Sequence, residues 1–173
     1  MNGLKNSSVR RIVGASMMAA IVCVATLIHV PLPVVGYIHV GDAFVLLSGF
    51  LFGGAFGFGA AALGSMLADL VLGYAAYAPA TFLIKGAVAL IAALLCRRVK
   101  AKGAQGFVCL FAFCALAECV VVLGYFVFEW VFYASLSAAL PGLVFNSVQG
   151  VIGALIAAFL MPQTKKMYFV SRF

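Results

Sequence analysis

Charge is what this chain has least of. Only 9% of its 173 residues are charged, and just four of them are Asp or Glu. Soluble domains carry about 25% charged residues, so an ordinary globular protein is excluded. The five cysteines, Cys23, Cys96, Cys109, Cys114 and Cys119, form no CxxC pair and sit in apolar runs. They read as small buried hydrophobes, not as a disulfide framework or a zinc site. No GxGxxG or GxxxxGK[ST] run is present, which rules out phosphate binding by a P-loop. No Ser/His/Asp or HExxH arrangement occurs either, so the chain is not expected to be an enzyme or to carry a cofactor. His29 and His39 lack a companion cluster and read as interfacial residues; no metal site is expected. There is no internal repeat, low-complexity tract or linker, which leaves one domain over residues 1–173.

What is present is apolar sequence. Hydrophobic residues make up 66% of the chain, and the mean hydropathy is +1.23. At about 20 residues per crossing, there is room for six spans and little else. Ten of the eleven basic residues fall into three clusters: Lys5, Arg10 and Arg11; Arg97, Arg98, Lys100 and Lys102; Lys165, Lys166 and Arg172. They mark helix ends rather than one face, so the net charge of +7 is no nucleic-acid footprint. Lys and Arg near spans stay on the cytoplasmic side, so an even number of crossings separates successive clusters. The expectation is an all-α integral membrane protein with six transmembrane helices and both termini cytoplasmic. The apolar stretch Ile12–Val30 is expected to be a retained first helix, because cleaving it as a signal peptide would leave an odd number of crossings.

Helix 1 is expected over Arg11–Val30, stopped by Pro31 and Pro33. An outer loop follows to Gly41, and Asp42 opens helix 2 as an N-cap. Helices 2 and 3 share residues 42–75 with a tight inner turn near Gly53–Gly57. Helix 4 runs from Pro79 to Cys96, helix 5 from Gly106 to Glu129, and helix 6 from Pro141 to Met161–Pro162.

Charged groups in hydrocarbon cost roughly 2.5–3.5 kcal/mol each on insertion scales, so they are paired or functional. At 1.5 Å rise per residue, Asp69 and Lys85 lie about 7 and 9 Å below the outer ends of their helices. Asn146 and Gln149 lie about 7 and 12 Å down helix 6 on the same reckoning. Glu118, Tyr125 and Glu129, spaced by seven and eleven, share one face of helix 5. With aromatic outer loops, these residues describe an outward-facing pocket for a small, polar, ring-shaped ligand. Plainer roles stand beside this one: an Asp69–Lys85 ion pair, and Asn146 with Gln149 as interhelical glue.

The run Val35-Gly-Tyr37-Ile-His-Val-Gly-Asp42, the glycines Gly53–Gly64, Ala68-Asp69-Leu, Tyr77-Ala-Pro79, Thr81 and Ile84-Lys85-Gly86 resemble the substrate-binding S components of energy-coupling factor (ECF) vitamin transporters. Ala117-Glu118, Gly124-Tyr125-Phe, Glu129 and Phe145-Asn146-Ser-Val-Gln149 resemble the second half of the same family, and together the likeness spans about residues 11–160. It implies a vitamin pocket near the outer face in a prokaryotic plasma membrane. It also implies docking onto a transmembrane coupling subunit driven by two ATPases, through a small-residue face matched by Ala15 and Ala19. Asn2-Gly3 stands where the family's cobalt and nickel members carry Met-His, which disfavours metal transport. The riboflavin branch, with relatives handling pyridoxine and hydroxymethylpyrimidine, is the nearest in pattern. The candidate ligand residues are Glu118, Tyr125, Glu129, Asn146, Gln149, Lys85, Asp69, Tyr77 and Tyr37, and they suit a pyridine or pyrimidine vitamin better than the bulkier riboflavin. The competing readings are a stand-alone carrier driven by an ion gradient, with Glu118 or Asp69 titrating, and an assembly protein with no ligand.

The charge clusters generate a direct test. Reporter fusions at Lys5, Lys100 and Lys166 should all report the cytoplasm, and one near Tyr77 the exterior. An external Lys100 contradicts the six-crossing arrangement.

Overall fold

A computed structural model of the chain describes residues 2–31 and 37–165, with side chains from Ser8 onward. Pro33, Lys166, Arg172 and the Lys5 side chain lie outside the described residues. The helices are α1 (Asn2–Leu27), α2 (Asp42–Phe52), α3 (Gly54–Leu72), α4 (Ala78–Leu95), α5 (Gly103–Tyr133) and α6 (Leu136–Thr164). Two short antiparallel strands, β1 (His29–Pro31) and β2 (Tyr37–His39), pair in the register His29–His39 and Pro31–Tyr37. Among the described residues, five segments are long and apolar enough to cross a membrane: Ser8–Leu27, Gly54–Leu72, Ala78–Arg98, Gly103–Tyr133 and Leu136–Thr164.

The exception is α2, which has 11 residues and so is only about 16 Å long. Its sequence, DAFVLLSGFLF, is apolar on every side, the signature of a helix enclosed by protein. It packs against α1, α3, α4 and α6, and every residue except Phe44 is buried. Its lone hydroxyl, Ser48 Oγ, donates to Val45 O at 2.7 Å or Gly57 O at 3.0 Å, so no polar group is stranded. Val45, Leu46 and Phe50 form the centre of the core, which Val88 and Ala89 of α4, Val121 of α5 and Ala154 of α6 complete. The surrounding helices turn Leu63, Leu67, Val71, Leu83, Leu116, Leu123, Val144 and Val148 outward, an apolar exterior that only lipid matches.

Two glycines make this packing possible. At Gly49 the Ala89 carbonyl of α4 occupies the space of a side chain, so α2 and α4 touch backbone to backbone. Gly53 (φ 63°) then reverses the chain into α3 from a left-handed region that costs glycine nothing. The turn lies inside the Gly53–Gly57 window expected from sequence.

Several boundaries differ from expectation. Helix 1 stops at Leu27 rather than Val30, because Val30 pairs with Ile38 in the hairpin. Helix 5 continues past Glu129 to Tyr133. Helix 6 starts at Leu136, not Pro141, because Ser135 Oγ accepts a hydrogen bond from Ala138 N at 3.3 Å and caps it. Asp42 is the first residue of α2 but caps nothing; the N-cap is Gly41.

Arg11, Arg97 and Lys165 gather at one end of the bundle, whereas Lys85 lies buried inside it. Arg11 Cζ lies 4.7 Å from the Phe56 ring beside the α2–α3 turn. Arg97 fills the space next to Gly53 in that turn. Lys165 Nζ donates to Val99 O at 3.4 Å, joining the end of α6 to the α4–α5 connection. The hairpin, the α3–α4 loop and the α5–α6 turn lie at the other ends of the same helices.

Candidate functional site

Between that hairpin and the upper parts of the helices lies a narrow cavity of about 30 Å³, enough for about two waters. Its wall draws on nearly every element: Thr26 of α1, Tyr37 and His39 of β2, Ser65 and Asp69 of α3, Thr81 and Lys85 of α4, Tyr125 and Glu129 of α5, and Asn146 and Gln149 of α6, with Tyr74 and Tyr77 from the α3–α4 loop. Apart from Thr26, the helical contributors arrive in pairs spaced three or four apart, so each pair shares one helix face.

Its floor is a chain of buried polar contacts. Lys85 Nζ, 1% exposed, donates to Asp42 Oδ1 at 2.5 Å. Gln149 Nε2 donates to Asp42 Oδ2 at 2.7 Å, and Gln149 Oε1 accepts from His39 N at 2.9 Å. Gly41 N donates to His39 Nδ1 at 2.9 Å. One network therefore joins α4, α2, α6 and the hairpin. Lys85 Nζ also stands 5.3 Å from the Tyr125 ring centroid, within cation–π range.

The rim is aromatic. Tyr37 donates its hydroxyl to Asp69 Oδ1, and its ring lies 5.0 Å from His29 and 4.9 Å from Tyr74. Tyr77 shares a hydroxyl contact of 2.9 Å with Tyr133 and packs 4.9 Å from Phe128. Thr81 Oγ1 and Tyr125 Oη are 2.8 Å apart. Burial and the Asp69 carboxylate hold the Tyr37 phenol far above its ordinary range, so it stays a donor. Among the described residues, Asp69 Oδ2 and Glu129 Oε2 are buried without a hydrogen-bond partner.

Tyr37, Asp69, Tyr77, Lys85, Tyr125, Glu129, Asn146 and Gln149 all line this cavity, whereas Glu118 does not. At 1.5 Å per residue, Glu118 lies about 10 Å along α5 from Tyr125. It packs against Gly150, close to Asp42, beneath the floor. The Asp69–Lys85 ion pair weighed from sequence is not formed: Lys85 pairs with Asp42, and Asp69 binds Tyr37. Thr26, Ser65 and Tyr74 escaped notice in the sequence. Ser65 and Thr81 each stand four residues before a charged residue, Asp69 and Lys85, and that spacing was the available signal. Ala15 is buried and Ala19 half-buried in the α1–α3 contact, where Gly64 lets α3 approach the Ala19 carbonyl.

Residues 6–166 match the family model of the ECF-type riboflavin transporter S component. A protein of Pyrococcus woesei described as "Uncharacterized protein in gap 3'region" is 32% identical over 148 residues, covering 85% of this chain and 95% of that protein. The solved structure of the S component of a bacterial ECF transporter shares the fold with a TM-score of 0.68 at 22% identity, covering 92% of this chain and 97% of its own.

The hairpin supplies a pH test. Burial lowers the His39 imidazole to about 4 from an ordinary value near 6.5. The folded protein thus keeps His39 neutral and accepting from Gly41 N, while an undocked His39 protonates below pH ~6.5. The stability contributed here is complete above that pH and falls as the pH drops toward 4. Melting curves between pH 7.5 and 4 should show this loss, and His39→Asn, which keeps an acceptor without the titration, should flatten it.

Proposed function

The chain belongs to the S-component family of ECF-type riboflavin transporters, and we propose that it captures a small water-soluble vitamin at the outer face of a prokaryotic plasma membrane. Delivery inward is by docking onto a transmembrane coupling subunit powered by two ATPases. The observation that carries this reading is the cavity itself, where polar side chains from five helices and a hairpin converge behind a tyrosine rim. Such convergence of a few oriented polar groups among aromatic walls is the usual build of a small-molecule site. Its volume of about 30 Å³ means that rim side chains must move to admit any ring. A single pyridine or pyrimidine ring demands less displacement than a tricyclic flavin, so pyridoxine or hydroxymethylpyrimidine is favoured and riboflavin comes next.

In this reading α2 counts as a sixth, half-length crossing that completes its passage through the hairpin above it. Both termini are then cytoplasmic, in line with Arg11, Arg97 and Lys165 at one end of the bundle. The coupling subunit docks along an apolar groove of about 580 Å³ between α1 and α3, lined by Ile12, Ala15, Ser16, Ala19, Ala20 and Leu63 among others. Its small residues let a partner helix approach closely.

Proteoliposomes test the proposal. The protein alone should bind labelled pyridoxine or hydroxymethylpyrimidine without accumulating it. Adding the coupling subunit and both ATPases should give ATP-dependent uptake indifferent to a proton gradient. Replacing the exposed groove residues Ser16 and Ala20 with Leu should abolish that uptake while binding stays within a few-fold. Gradient-driven uptake by the protein alone would overturn the proposal.

A further inference from the structure

The acidic residues of this chain are Asp42, Asp69, Glu118 and Glu129, and all four are buried. Among the described residues, Lys85 is the one basic residue paired with any of them. Its charge is matched by Asp42, 2.5 Å away. That leaves Asp69, Glu118 and Glu129 without a cation; Glu118 lies beneath the floor, while Asp69 and Glu129 line the cavity. Asp69 is 3% and Glu129 2% exposed, and each holds one carboxylate oxygen with no partner among the described residues. Gly142 on α6 leaves room for the Glu129 carboxylate, so its position is built into the packing. His39 is held neutral by burial and contributes no compensating charge. Burying a carboxylate without a partner is costly, and the cost is relieved by pairing with opposite charge.

On the reading of this cavity as the vitamin site, we propose that its ligand is cationic: a single heteroaromatic ring bearing an ammonium, amidinium or ring-nitrogen cation. Asp69 and Glu129 accept from the cation's N–H groups or offset its charge. Tyr37, Tyr77 and Tyr125 supply ring faces, which attract cations most strongly where water is excluded. A neutral flavin would leave both carboxylates unmatched. No group of three or more His, Cys, Asp and Glu side chains converges among the described residues to hold a metal ion instead.

A matched pair of probes isolates the charge. Pyridoxamine and pyridoxine share one ring and differ in an aminomethyl against a hydroxymethyl group, so only the first carries an ammonium near neutral pH. Calorimetric titration of the purified protein should show pyridoxamine binding at least about tenfold tighter. Thiamine, a permanent cation, should bind tighter than riboflavin. Glu129→Gln, and independently Asp69→Asn, should erase most of the pyridoxamine preference, with melting curves confirming that each variant is folded. Equal or reversed preference in the wild type, or a preference untouched in both folded variants, overturns the cationic assignment while leaving a vitamin site in place. Failure of the folded protein to bind any of the four probes overturns that underlying reading as well.

Discussion

The buried pair between Lys85 and Asp42 is the contact on which the remaining architecture turns. An ammonium and a carboxylate in the interior of a lipid-embedded bundle are tolerable only together: isolated, each costs several kcal/mol. Their pairing dictates which face of α4 meets the start of α2. Gln149 fills the second oxygen of Asp42, which sets the rotation of α6, and its carbonyl receives the backbone N–H of His39, which seats the hairpin. Asp42 is also the first residue of α2, where the positive end of the helix dipole favours a carboxylate. One charge pair thus positions three helices and the cover of the cavity.

Below that pair the logic is steric. An 11-residue helix apolar on all sides has no face to show water and is too short to span lipid alone; α1, α3, α4 and α6 pack around it, and the close approach of α4 requires a bare position at Gly49. At the next level of α6, Gly150 and Gly153 admit Glu118 and Asp42. Polar residues and glycines therefore alternate as parts of one packing scheme, with the polar floor held by the same helices whose outer surfaces are plain Leu, Ile, Val and Phe.

Much of this was legible in the chain. The basic clusters and apolar lengths marked out the helices, and depth along each helix brought Asp69, Lys85, Asn146 and Gln149 to one level. Rotation about the helix axis was not legible, and rotation decides partners. Asp69 and Lys85 have similar depth, yet Lys85 turns to Asp42, 43 residues away, a pairing with no local trace. Glu118, costly and on the helix face of Tyr125 and Glu129, was expected in the pocket, but its position about 10 Å further along α5 carries it beneath the cavity and out of its wall. The hairpin strands are three residues each, too short for alternation to register. Ser135 as the cap of α6 was hidden by Pro141, a stronger but misleading punctuation mark.

The claim that one ion pair organises the site is measured most directly by a double-mutant cycle of Asp42→Asn and Lys85→Met, reading thermal or denaturant stability of the purified protein. Each single variant strands a buried charge and should cost about 3–5 kcal/mol. The double variant should be less damaged than the sum, with a coupling of about 1–3 kcal/mol. Losses that add to within about 0.5 kcal/mol, the behaviour of independent sites, would contradict the account.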